Sequence, residues 1–301
     1  MSSISTPDYD SSSRRPQARG STLLVGLIGK GIQRSKSPAM HEAEAAAQGI
    51  RCTYELIDLD VRGVGIKALP NLLAEAEARG FAGVNITYPC KQAVIPLLNT
   101  VSDEARAIGA VNTVHFTEAG RTGYNTDAWG FAESFRRELG DAPIGRIAQI
   151  GAGGAGAATG YAMLGLGARE LVIFDVDFDR SGSLVHSLTR HFPDRRIRAV
   201  DEIADAVDGA QGLVHATPTG MASHRGSAVP SSLLRSDLWV ADVVYFPLET
   251  ELLRQAKQAG CRTLDGGGMA VFQAAKAFEI FTGLVPDGER MRRHFMTIAQ
   301  S

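Results

Sequence analysis

Short apolar runs alternate with segments of helical periodicity along most of this chain. Residues 23–29 (LLVGLIG) predict a buried strand; 38–48, rich in alanine and glutamate between Pro38 and Gly49, predict a helix. A second strand is expected over 53–59. Residues 64–79 are helical in pattern, with Pro70 an interior residue expected to kink the helix before Gly80 ends it. Residues 82–87 read as a strand running into Tyr88-Pro89, and 110–116 with 121–124 as a hairpin about Glu118-Ala119-Gly120.

Beyond Asp127 the rhythm becomes plain β-α alternation. Strands are expected at 146–150, 170–174, 212–216, 238–244 and 262–264, and helices at 154–165, 180–191 and 250–258. Alternation of this kind predicts a parallel, doubly wound sheet. Two closing helices are expected at 269–282 and 287–299. The uncharged stretch 147–168 is nominally long enough to span a bilayer. It holds seven glycines, though, and breaks into strand, glycine turn and helix, so a membrane span is rejected.

Composition narrows the class. The 301 residues are 44% hydrophobic and 21% charged, ample for about two packed domains. A net charge of −2 gives no field for nucleic acid or anionic membrane. Cys52, Cys90 and Cys261 are dispersed, which fits a reducing cytoplasm better than a disulfide framework, and the seven histidines form no metal-ligand spacing, so no metal is expected. Residues 1–20, with six serines, Arg14, Arg15 and Arg19, lack an apolar core and read as a disordered tail.

Gly151-Ala152-Gly153-Gly154-Ala155-Gly156 fits G-x-G-x-x-G, follows an expected strand and opens an expected helix. Glycines there permit close backbone approach to a pyrophosphate, and the helix N-terminus offers unpaired N–H groups. Asp175, nineteen residues past Gly156, ends the next strand and is placed to accept from an adenosine ribose. A carboxylate there would repel the 2′-phosphate of NADP, and Val176, Asp177 and Phe178 follow without a cation until Arg180. NAD is therefore expected over NADP; the plain alternative is that Asp175 caps the following turn. The segment is read as a Rossmann-type domain over 128–266.

Two polar clusters interrupt the first half: Asn85-Ile86-Thr87-Tyr88-Pro89-Cys90-Lys91 and Gly123-Tyr124-Asn125-Thr126-Asp127. A lysine and an aspartate near a nicotinamide are suited to proton transfer, the ammonium offsetting charge on a developing alkoxide. Spacing alone leaves the alternative open that both are solvated surface charges.

The chain resembles the shikimate/quinate dehydrogenase family across 23–299. The resemblance rests on Ser35-Lys36-Ser37-Pro38 with Met40-His41, the 85–91 segment, Gly109-Ala110-Val111-Asn112-Thr113, and Gly123 through Gly130. It continues in the glycine run, Ala216-Thr217-Pro218-Thr219-Gly220-Met221, Asp242 through Pro247, and Gly268…Gln273…Ala277-Phe278-Glu279. It implies hydride transfer between NAD(P) and the C3 hydroxyl of shikimate or quinate. Lys91 and Asp127 then resemble the catalytic pair, and Ser35, Ser37, Thr87, Asn112, Tyr245 and Gln273 the groups that hold a hydroxylated ring carboxylate. Thr217, Pro218, Met221, Val243, Gly266 and Met269 join the glycine run and Asp175 as cofactor-binding positions.

It also implies two α/β domains facing each other across a cleft. The substrate domain is expected over 21–127, completed by 267–301, in a monomer or homodimer. Plain structural readings stand beside these roles: Ser35 and Ser37 as helix caps, Asn112 and Asn125 as turn formers, Tyr245 as a core aromatic and Gln273 as an exposed helix residue. His41 carries no expected role. Asp175 resembles the NAD-preferring branch, and Ser37, where quinate-preferring members often carry threonine, mildly favours shikimate. Cys90 stands where a bulkier residue is usual. Two further readings are an aminoshikimate-type dehydrogenase and a weakly catalytic NAD- and ligand-binding sensor on the same fold.

Overall fold

The computed structural model describes residues 20–299, so the expected tail lies, but for Gly20, outside the described residues. The first half runs β1 (Thr22–Gly29), α1 (Ser37–Ala47), β2 (Arg51–Asp58), α2 (Leu69–Ala78), β3 (Gly83–Ile86), α3 (Cys90–Ala93), β4 (Thr100–Val101), α4 (Asp103–Ile108), β5 (Thr113–Thr117) and β6 (Gly120–Tyr124). There follow α5 (Thr126–Leu139), β7 (Arg146–Ile150), α6 (Gly154–Leu166), β8 (Glu170–Phe174), α7 (Phe178–His191), β9 (Arg196–Val200), α8 (Ile203–Val207) and β10 (Gly212–His215). The chain closes with β11 (Trp239–Asp242), α9 (Glu251–Gln258), β12 (Arg262–Leu264), α10 (Gly266–Thr282) and α11 (Gly288–Ala299). Two compact units result: 20–126 with 271–299, and 127–270.

The discontinuous unit holds a mixed sheet in the order β2-β1-β3-β5-β6-β4, with β5 antiparallel to both neighbours and the expected hairpin in place. One face is covered by Leu69, Leu72 and Leu73 of α2 against Val84, Ile86 and Val114. The other packs Leu23, Val25 and Leu27 against Ala45 of α1 and Phe278 and Phe281 of α10. Pro70 does not kink a helix interior. The segment before it is a short 3₁₀ turn (Ile66–Ala68), and Pro70 stands in the first turn of α2, where its missing N–H costs nothing.

Two buried groups fasten α1. Glu44 takes a forked pair of bonds from Arg290 Nε (2.8 Å) and Nη2 (2.7 Å) of α11, plus the Asp287 N–H at 2.9 Å. His41 is wholly buried against Tyr54, Phe278 and Phe281, its ring centre 4.9 Å from that of Tyr54. Neither of its ring nitrogens has a hydrogen-bond partner among the described residues.

The continuous unit holds a parallel sheet in the order β9-β8-β7-β10-β11-β12. Its central strands are buried almost without interruption, as strands covered on both faces must be. The chain lays β8 and β9 to one side of β7, then crosses to lay β10 to β12 on the other. The reversal between β7 and β10 is the switch point at which such sheets bind ligands.

Burial pushes His41 down to about 3, so it stays neutral in the fold while the unfolded chain protonates near 6.5. Folding stability should fall as pH drops below 6.5 and level off near 3. Urea unfolding at pH 7 and pH 5 should show His41→Leu losing about 2 kcal/mol less than the parent over that interval. Equal losses would mean that other groups set the acid sensitivity.

Candidate active site

The glycine turn follows β7 and is strapped from two sides. Gly151 has φ +107°, and a Cβ on it would lie 2.6 Å from the Ala216 carbonyl and 2.8 Å from Thr217 Cγ2 at the end of β10. A Cβ on Gly156 would collide with the Gly151 carbonyl, so only glycine permits that closeness of turn and helix. Beneath the turn, wholly buried Gln149 donates to the carbonyls of Gly151 (3.0 Å) and Gly156 (2.9 Å) and accepts from Thr159. From β8, Asp175 Oδ2 takes the Ala152 N–H at 2.7 Å.

Gly153 and Gly154, by contrast, face open space. Gly153 occupies the cap position of α6, where no side chain takes up the helix N–H groups and no acid stands in the first turn. That cradle fits a pyrophosphate.

Asp175 does more than the sequence reading expected. Its Oδ1 accepts the Asp177 N–H at 2.9 Å, the turn-capping role considered as the plain alternative, and the Arg180 guanidinium lies 3.5 Å away. Arg180, the first cation after Asp175 in the chain, does attend this carboxylate. Arg180, one turn into α7, folds back to pair with Asp175 and, at 3.2 Å, with Asp177. Val176 between them is 92% exposed.

At the ends of β10 and β11 a chain of bonds runs from Asp242 through His215 to Thr217, both charged-type residues being buried. Thr217 was expected here; His215 and Asp242 were not singled out. Val243 donates its N–H to the His215 carbonyl, and Gly266 closes against the Val243 and Val244 carbonyls, where a Cβ would not fit. Met269 is buried, whereas Met221 and Pro218 are exposed on the loop after β10.

In the same unit Asp127 opens the first turn of α5, a position that favours a carboxylate. Tyr245 is 44% exposed, which sets aside the core-aromatic reading. Crowding around its hydroxyl, and then the Asp127 carboxylate, push its ionisation upward and keep it a neutral donor and acceptor.

In the discontinuous unit a chain of neutral groups joins three of the expected substrate residues. Ser37 bonds the Tyr54 hydroxyl, which donates to Asn85 Oδ1 at 2.9 Å. Asn85 donates to Thr113 at 3.0 Å, Thr113 to Asn112 Oδ1 at 3.0 Å, and Asn112 to the Thr126 hydroxyl at 3.0 Å. Thr126 reaches Gln273 Oε1 at 3.4 Å, so Gln273 is engaged in the network. Asn85 and Thr126 stand in the two polar clusters of the sequence and Thr113 in a family motif, without a role expected of any of them; Tyr54 carries no sequence signal.

Ser35 and Ser37 do not occupy the helix cap position, which falls on Lys36; the Ser35 hydroxyl does take the Ser37 N–H at 3.3 Å. Asp58 shapes their loop by accepting from Gly31, Ile32 and Asp60 N–H groups and from Gln33. Burial raises its ionisation, but those four bonds outweigh it and hold the carboxyl below the usual range. Thr87 and Lys91 lie in one turn after β3: the Cys90 N–H bonds the Thr87 carbonyl, and the Lys91 carbonyl takes the Val111 N–H at 2.9 Å. Cys90 is fully buried in the apolar layer.

A glycine turn at the switch point of a parallel sheet, carried in one chain with a unit of clustered hydroxyls and amides, defines a two-unit, dinucleotide-linked oxidoreductase. Residues 27–114 match the family model for the shikimate dehydrogenase substrate binding domain. The chain belongs to the shikimate/quinate dehydrogenase family of NAD(P)-dependent enzymes.

It is 54% identical over 272 residues to a shikimate dehydrogenase (NADP(+)) of Streptomyces avermitilis, covering 90% of this chain and 94% of that one. To a quinate/shikimate dehydrogenase (NAD(+)) of Corynebacterium glutamicum it is 46% identical over 281 residues, 92% and 99% of the two chains. Among solved structures, quinate dehydrogenase from Corynebacterium glutamicum in complex with NAD superposes with a TM-score of 0.87 at 44% identity, covering 92% of this chain and 99% of that one. The Thermus thermophilus shikimate 5-dehydrogenase in complex with NADP(H) and shikimate gives 0.81 at 35%, with the same coverage.

Gln149→Leu should strip the Gly151 carbonyl of its buried side-chain donor, while the Gly156 carbonyl keeps the Thr159 hydroxyl at 3.2 Å. The expected loss is about 1–3 kcal/mol by urea unfolding, together with weaker dinucleotide binding by calorimetry. Unchanged stability would show that the turn holds itself.

Proposed function

We propose that this protein is an NAD-preferring dehydrogenase of shikimate and quinate, exchanging a hydride between NAD and the ring C3 hydroxyl. The observation that carries the cofactor preference is the acidic end of β8. Asp175, Asp177 and Asp179 cluster there, and the Arg180 guanidinium is already engaged by the first two. A 2′-phosphate brings nearly two negative charges, and each carboxylate at ~4 Å repels a unit charge by ~4 kcal/mol at an effective dielectric of ~20. Val176, exposed between the aspartates, supplies no donor for it. Asp175 keeps lone pairs for a ribose hydroxyl beyond its two backbone bonds.

Bound NAD supplies the hydride acceptor. Lys91 and Asp127 manage the proton released as the hydroxyl becomes a carbonyl, the ammonium offsetting negative charge on the oxygen. Ser35, Ser37, Thr87, Asn112, Tyr245 and Gln273 hold the ring through neutral donors and acceptors, which suits a polyhydroxylated carboxylate. Ser37, one methyl smaller than threonine, leaves room for either ring, a difference of only ~1 kcal/mol. The three thiols are free, which fits a reducing cytoplasm; none of the described helices is long and apolar enough to cross a membrane.

The test is NADH or NADPH absorbance with shikimate and quinate in parallel. NADH from both substrates, with NADP poor, is the expected result; silence with every combination would overturn the reading. Lys91→Ala should lower kcat by about 10²–10⁴-fold while NAD still binds by calorimetry; an unchanged kcat would remove Lys91 from the chemistry. Val176→Arg combined with Asp177→Ser should shift the kcat/KM ratio toward NADP by at least about tenfold. A fixed ratio would mean that the acidic end of β8 does not set the preference.

A further inference from the structure

The bonds around Thr217 can be followed hydrogen by hydrogen. Asp242 Oδ1 lies 2.9 Å from His215 Nδ1 and takes the Val244 N–H at 3.0 Å, while Oδ2 accepts the Thr250 hydroxyl at 2.7 Å. A carboxylate only accepts, so Nδ1 carries a hydrogen. In a singly protonated ring Nε2 is then an acceptor, and it lies 2.5 Å from Thr217 Oγ1. The one hydrogen of the Thr217 hydroxyl is therefore spent on His215. One of the lone pairs on Oγ1 is also taken, by the Thr219 N–H at 3.2 Å. What Thr217 has left to offer is an acceptor. It offers it beside the glycine turn, its methyl being what excludes a Cβ from Gly151.

We propose that His215, held by Asp242, is a positioning residue that makes Thr217 a hydrogen-bond acceptor toward the bound dinucleotide. Such a group pairs with a ribose hydroxyl or an amide N–H and turns away a phosphate oxygen. The arrangement resembles the way a carboxylate sets the tautomer of an imidazole, here relayed one hydroxyl further. The inference rests on the dinucleotide reading of this site. It adds what no part of that reading contains: the direction of the bond Thr217 can make, and the residue that dictates it.

The full-length protein labelled with ¹⁵N-histidine gives the direct test. The His215 signals should report a protonated Nδ1 and a bare, hydrogen-bonded Nε2, and Thr217→Val should move the Nε2 signal while leaving Nδ1 in place. The opposite tautomer, or a doubly protonated ring, would overturn the proposal. Calorimetry with NAD gives the second test. Thr217→Val and His215→Gln should each weaken binding about tenfold, Thr217→Ser should restore it, and the double variant should be no worse than either single one. Losses that multiply, or a Thr217→Val that binds NAD normally, would overturn it.

Thr217→Val and Thr217→Ser leave the buried His215–Asp242 pair intact, so they carry the test even if His215→Gln does not fold. A parent protein that binds neither NAD nor NADP would sink the dinucleotide reading itself, whatever tautomer the spectrum shows.

Discussion

A polar side chain buried at the carboxyl end of a strand must find a hydrogen-bond partner or cost the fold several kcal/mol. Much of the local geometry in this molecule follows from how that demand is met. Gln149 meets it with the carbonyls of its own glycine turn, and so fixes how far α6 starts from β7. Asp58 meets it with the N–H groups of Gly31, Ile32 and Asp60 and thereby sets the course of the chain toward α1. Asn85 and Asn112 meet it with one another's surroundings, drawing β3, β5 and the start of α5 to one place. The apolar layers decide that sheets form; these few amides and carboxylates decide what their ends look like.

Two of the polar networks differ in chemistry. In the unit built from 20–126 and 271–299, the chain from Ser37 to Gln273 is neutral throughout, and neutral groups can donate or accept as a ligand requires. In the unit 127–270, two carboxylates take part beside Gln149: Asp175 straps the glycine turn and Asp242 holds His215. A carboxylate can only accept, so it imposes direction on every bond downstream. On the function proposed above, a ring with several similar hydroxyls would meet adaptable partners and a dinucleotide fixed ones.

Most of the fold was readable from the chain. Strands β7 and β8 fall where apolar runs predict them, because buried strands of a parallel sheet leave little choice of composition. The short elements were not readable. Helix α3 has four residues, β4 has two, and their patterns are too brief to carry a period. Helix α5 begins inside the motif Asn125-Thr126-Asp127, where the chemistry of the residues masked their periodicity. Pro70 was placed a few residues too deep because the helical pattern of 64–79 hides a 3₁₀ turn ahead of it.

At the site, the glycine turn and Asp175 were legible as motif and spacing. The pairing of Arg180 with that aspartate was not, since it depends on the cap at Asp177 and the first turn of α7 bringing a residue five along beside it. His215 and Gln149 were hidden for a common reason: each is a single polar letter inside a strand, and only the fold reveals which neighbours reach it.

The residues that close the discontinuous unit are among the last in the chain. Phe278 and Phe281 complete one of its apolar layers, and Arg290 supplies the fork that neutralises buried Glu44. On a ribosome, β1 and α1 emerge first but lack the surfaces they pack against until the final helices are made. The unit 127–270 is contiguous and has all of its own strands well before that point. Order of synthesis and order of completion are thus reversed for this protein, and the half that emerges earliest has the longest wait with its apolar face uncovered.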